Sequence, residues 1–154
     1  KIKSLVLGGH GDSMVAMVNH TSIDGTELKK FVENGKLKEQ RLKEIIDRTK
    51  KGGAEIVKYL EKGSAFYAPA AAGVEMAESY LKDLKKELPC AAHLNGEYGF
   101  KDIYAGVPVI IGKNGVEKVV EIKLSSSEKD QFNKSIKAVQ DLFEAGKKID
   151  NSLK

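Results

Sequence analysis

The chain has 154 residues, enough for one domain with a buried core, and 41% hydrophobic with 31% charged residues is a folded rather than a disordered composition. Its net charge of +4 sets 26 lysines and arginines against 22 acids, interleaved and without any Trp, which argues against a nucleic-acid surface. No apolar run approaches the roughly 18 residues of a membrane span, and the single cysteine, Cys90, excludes an internal disulfide and favours a reducing, cytoplasmic setting.

Residues 2–8 are apolar and β-branched enough for a buried strand, which Gly8, Gly9 and Gly11 around His10 break. A second strand is predicted over 14–20, with a turn at Ile23 to Gly25. Asp24 followed by Glu27 has the spacing of a capping box and predicts a short helix ending near Asn34-Gly35. Leu42, Ile45, Ile46, Ile56, Val57 and Leu60 keep helical spacing, and Gly52-Gly53 should divide or kink that helix, since each glycine costs about 1 kcal/mol in a helix interior. Residues 67–86 read as another helix, whose small side (Ala70, Ala71, Ala72, Gly73, Ala77) invites close packing by a helix or a partner chain.

The period then changes from helix to strand. Runs at 88–94, 103–111 and 116–124 are rich in Val and Ile and are separated by Asn95-Gly96 and Asn114-Gly115, which predicts an antiparallel meander. Ser125 with Glu128 forms a capping box ahead of Phe132, Ile136, Val139, Leu142 and Phe143, so a last helix is expected over 125–147. The sum is a single α+β domain: an antiparallel sheet with long helices. Strand-like sequence also starts immediately at Ile2, with no initiator methionine, which leads us to expect an upstream half.

The stretch Leu7-Gly8-Gly9-His10-Gly11-Asp12-Ser13-Met14-Val15 carries the most chemistry. A histidine flanked by glycines at a strand end sits on unhindered backbone, and imidazole titrates near 6.5 in its ordinary state, which suits proton transfer. No metal is expected: His10 and Asp12 are too few ligands, and neither His20 nor His93 stands at a motif spacing from them. The glycines do not make a P-loop, for they lack its lysine and Ser/Thr. Cys90 reads as a small buried hydrophobe, and His20 and His93 as satisfied surface or core residues.

Four segments, in order and spacing, resemble the lactate/malate dehydrogenase family. They are the histidine stretch, Arg48-Thr49-Lys50-Lys51-Gly52-Gly53-Ala54-Glu55-Ile56-Val57, Lys62-Gly63-Ser64-Ala65-Phe66-Tyr67-Ala68-Pro69-Ala70 and Gly106-Val107-Pro108-Val109-Ile110-Ile111-Gly112. The resemblance covers essentially the whole chain and implies the carboxy-terminal catalytic domain, residues 1–154. It implies NAD as cofactor and malate and oxaloacetate as substrates, with His10 exchanging the proton. It places Ser64 and Ala65 beside the substrate, Pro69 near the nicotinamide ring, and the Gly52-Gly53 break in a helix pair flanking the site. It further implies a homodimer or homotetramer.

The departures lie at the front. No G-x-G-x-x-G follows a strand, and the arginines that grip the substrate carboxylates, the closing loop and the aspartate that orients the histidine belong to segments upstream of Lys1 in the family. Asp12 is therefore not the orienting carboxylate, and is expected to hold its loop through backbone hydrogen bonds. These 154 residues alone should neither bind NAD nor turn over malate. Two alternatives stay open: a lactate dehydrogenase of the same family, and a non-catalytic oligomerisation or binding module.

Overall fold

A computed structural model of the chain describes residues 1–153. Its first 27 residues form five two-residue strands rather than two longer ones: β1 (Ile2–Lys3), β2 (Val6–Leu7), β3 (Val15–Ala16), β4 (Ser22–Ile23) and β5 (Thr26–Glu27). Each expected strand is cut where its pairing stops: Ser4-Leu5 separates β1 from β2, and the chain turns into a 3₁₀ helix over Val18–His20 after β3. Ile2 is 69% exposed, whereas Leu7, Val15 and Met17 are buried. Antiparallel pairing joins β2 to β3 (Leu7 opposite Val15), and β4 lies between β1 and β5.

The turn at 23–25 is present, but Asp24 does not cap the helix. Asp24 and Gly25 both take positive φ (47° and 79°) as the two-residue hairpin loop between β4 and β5. The next helix, α1 (Leu28–Glu33), starts without a side-chain cap and ends at Asn34, followed by Gly35 at φ 73°. Hairpin geometry wins over the capping-box spacing here because Ile23 and Thr26 are already paired.

The helix over 37–60 is divided as predicted, into α2 (Glu39–Lys50) and α3 (Gly52–Leu60), with Lys51 between them. Arg48 donates to both carboxylate oxygens of Glu55 (Nε at 2.9 Å and a terminal nitrogen at 2.7 Å), tying the two helices across the break. That hydrogen-bonded guanidinium holds the Glu55 carboxyl below its usual range. Neither helix buries a residue, and Ile45, Ile56, Val57 and Leu60 are exposed. Helix α4 (Tyr67–Leu81) stops five residues before the predicted end, because Asp83 and Lys85 take positive φ ahead of the next strand. Its small side, Ala70 to Gly73, lies exposed.

The core forms around the meander β6 (Lys86–Asn95), β7 (Lys101–Gly112) and β8 (Gly115–Val119), with β7 central. Cys90, Ala92, Leu94, Ile103, Ala105, Val107, Val109 and Ile111 form one cluster with Leu7, Val15 and Met17, capped by Phe132 and Ile136 of α5 (Ser126–Ile149). The strand expected to reach residue 124 ends at Val119, and Ile122 and Leu124 pack on the core as irregular chain. Helix α4 is pinned to the sheet by Ser79, fully buried, whose hydroxyl donates to the Ile111 carbonyl at 2.7 Å and accepts from the Lys86 N–H.

The α5 capping box is complete: the Ser125 hydroxyl oxygen accepts from the Glu128 N–H, and the Glu128 carboxylate accepts from the Ser125 N–H at 2.9 Å. Burial opposes ionisation of Glu128, but the hydrogen bonds from Ser125, together with Asn19 and His20 nearby, outweigh it and hold the carboxyl below its usual range. Its second oxygen, Oε1, is buried and has no hydrogen-bond partner among the described residues. A carboxyl with a depressed folded pKa contributes stability above the unfolded value of about 4.3 and loses it as pH falls through the folded value. Ser125→Ala should therefore cost roughly 1 kcal/mol at pH 7. Glu128→Gln should flatten the loss of stability below about pH 4.3, as urea unfolding at stepped pH would measure.

Candidate active site

His10 stands where β2 ends, and its placement is fixed through backbone on two sides. Gly8 exchanges a pair of hydrogen bonds with Gly106 of β7: each N–H donates to the other's carbonyl at 2.8 Å. This pairing uses the edge of β7 that the short β8 leaves open. A side chain at Gly106 would place its Cβ 2.6 Å from the Gly8 carbonyl oxygen, so the approach requires glycine. On the opposite side, the Gly9 N–H donates to the Ser135 hydroxyl oxygen of α5 at 2.8 Å.

Beyond Gly9 the chain is extended at His10 (φ −84°, ψ 150°), and Gly11 to Ser13 close one 3₁₀ turn. His10 is exposed, and among the described residues its ring makes no hydrogen bond. It borders an open cleft of about 230 Å³ walled by Gly8, Gly9 and Gly106 and floored by Pro89, Cys90 and Ala91 of β6. Burial pushes the Cys90 thiol up, away from the reactive thiolate, in keeping with the small buried hydrophobe expected there.

Asp12 makes no hydrogen bond among the described residues, to His10 or to its own loop, so the expected backbone-holding role is not seen. Its side of the turn forms a second cleft with Lys50, Gln131 and Lys134, which brings the end of α2 beside the histidine turn. The other expected site residues lie elsewhere on the surface. Ser64 is exposed and Ala65 half-buried in the connection between α3 and α4, and Pro69 is exposed in the first turn of α4, where its missing N–H costs nothing. The cleft at His10 includes none of the three. His20 is satisfied, its ring nitrogen 3.1 Å from the Lys123 carbonyl, and the exposed His93 packs edge-on against Tyr104.

Sequence reading passed over Ser135 and the particular part of Gly106. Both left a trace. Ser135 is a small polar residue inside the α5 stripe of Phe132, Ile136 and Val139, and Gly106 interrupts a Val/Ile strand. Among the described residues no three His, Cys, Asp or Glu gather as a metal site, and no helix is long and apolar enough to cross a membrane.

Residues 1–149 match the lactate/malate dehydrogenase, alpha/beta C-terminal domain. The chain belongs to this family. It is 61% identical over 153 residues to a malate dehydrogenase of Pelagibacter ubique (strain HTCC1062), an alignment covering 99% of this chain and 48% of that protein. A malate dehydrogenase of Cryptosporidium parvum superposes with TM-score 0.89 at 48% identity, over 92% of this chain and 45% of that one. A lactate dehydrogenase of Eimeria maxima, solved with NADH and oxamate, gives TM-score 0.92 at 36% identity, over 97% and 47%. The chain thus spans about half the length of these family members. The family implies a nicotinamide dinucleotide, which these residues do not fit unaided. Among the described residues no glycine-rich turn leads from a strand into an α-helix, and the cleft at His10 is small and open.

Proposed function

We propose that the chain is the carboxy-terminal catalytic domain of an NAD-dependent malate dehydrogenase, with His10 as its proton-transfer group. The single observation behind this reading is an exposed imidazole, without a hydrogen bond among the described residues, carried on backbone clamped from both sides. Such a group is presented to a ligand without being committed to the protein, which is what general acid–base chemistry needs. In oxaloacetate reduction His10 as imidazolium gives its proton to the carbonyl oxygen, while the carbonyl carbon accepts hydride. In malate oxidation the neutral ring takes the hydroxyl proton back. A reduced nicotinamide dinucleotide would supply that hydride and its oxidised form would accept it in the reverse direction, and we assign its binding to a domain outside these residues.

Ser64, Ala65 and Pro69 are proposed to line the substrate and nicotinamide once that domain closes over the cleft. None of them reacts, so their contribution is shape. We further propose a cytoplasmic homodimer or homotetramer. The 61% identity to a malate dehydrogenase favours malate over lactate. Steady-state kinetics on the full-length protein test this: oxaloacetate should give a kcat/KM at least about 100-fold above pyruvate, the discrimination expected where a site pairs or fails to pair a second carboxylate. A preference for pyruvate would overturn the malate reading. The 154-residue chain alone should show no turnover and no NAD binding by titration calorimetry.

A further inference from the structure

The His10 ring has no bonded partner among the described residues, so within this chain only its backbone decides where it points. That backbone leaves from Gly9, whose N–H is held by the Ser135 hydroxyl at 2.8 Å, a contact spanning 126 positions of sequence. Ser135 is 3% exposed and lies in the apolar stripe of α5, between Phe132 and Ile136, where a hydroxyl has no other evident packing purpose. A side chain on Gly8 would come within 2.2 Å of the same hydroxyl oxygen, and one on Gly9 within 3.1 Å of Val139, so α5 is seated directly on the two glycines.

We propose that Ser135 is a positioning residue for His10: its hydroxyl, through the Gly9 N–H, sets the angle at which the histidine leaves β2. This rests on His10 being the proton-transfer group. Gly8, bonded twice to Gly106, fixes the strand end in the plane of the sheet, and Ser135 fixes the next peptide out of that plane. Losing the second anchor lets the peptide turn about the first. Misplacement on the scale of 1 Å is enough to cost on the order of 100-fold in a proton transfer that depends on alignment.

The experiment compares Ser135→Ala and Ser135→Thr in the full-length enzyme. Ser135→Ala should lower kcat for oxaloacetate at least about tenfold while KM moves less than about twofold, because Ser135 acts on the angle of His10 and not on substrate binding. Ser135→Thr, which keeps the hydroxyl, should recover most of that loss. Hydrogen exchange at the Gly9 amide, followed by NMR, should accelerate at least about tenfold in Ser135→Ala and stay near wild type in Ser135→Thr. Ser135→Ala with kcat within twofold of wild type overturns the proposal, as does Gly9 exchange that does not change. A wild-type protein that reduces no 2-oxo acid overturns the functional reading instead, and the anchor is then judged on Gly9 exchange alone.

Discussion

Replacing His10 with Asn in the full-length protein is expected to lower kcat/KM for oxaloacetate by about 10²–10⁴-fold, the range general acid–base catalysis supplies. Asparagine can still donate a hydrogen bond to the substrate oxygen but cannot give up a proton at neutral pH, so the loss belongs to the chemical step. Stability should hardly change. The ring is exposed and makes no hydrogen bond among the described residues, and substitutions of that kind stay within about 0.5 kcal/mol. Kinetics read beside urea denaturation thus separate a chemical role from a structural one. A variant within threefold of wild type in kcat/KM would remove His10 from the mechanism.

Gly8→Ala should be among the most damaging single methyl additions in the chain. Gly8 holds φ 89°, a conformation that costs an L-residue roughly 1–2 kcal/mol. The new Cβ would also stand 2.2 Å from the Ser135 hydroxyl oxygen and 2.9 Å from its Cβ, and forcing atoms into a packed site costs typically about 1–3 kcal/mol. Together these give a loss on the order of 2–5 kcal/mol in urea unfolding. Gly11→Ala is the control. It shares positive φ (73°), but among the described residues a Cβ there would meet no atom within 4 Å beyond its chain neighbours, so only the backbone cost of about 1–2 kcal/mol should register. Equal losses at the two positions would show that Ser135 does not press on Gly8 as described.

The elements governed by local patterning were legible in the sequence. The meander, the last helix with its Ser125–Glu128 box and the division at Gly52-Gly53 all rest on periodicity or on residues a few positions apart, and the structure has them. What failed was decided at longer range. Residues 2–8 and 14–20 have strand composition, but the first run changes partner from β4 to β3 part-way and the second turns into a 3₁₀ helix at Val18, so the strands are two residues long. Asp24 and Glu27 satisfy a spacing rule that hairpin pairing overrides. At the site, the flanking glycines led to the expectation of an exposed histidine, and His10 is exposed. The partners of Gly8 and Gly9 lie in β7 and α5, which no local window joins. The surroundings of Ser64, Ala65 and Pro69 were read from resemblance alone, and within this chain they remain surface residues.

The anchors of the histidine segment also impose an order on assembly. One comes from the middle of the chain and the other from its last helix, 126 positions after Gly9. Closing contacts of such separation is entropically costly and slow compared with forming a local helix or hairpin. During synthesis the ribosome releases His10 among the first residues of this domain, yet Ser135 emerges nearly last. The His10 segment therefore lacks its second anchor for most of the domain's time on the ribosome, and gains it when α5 docks.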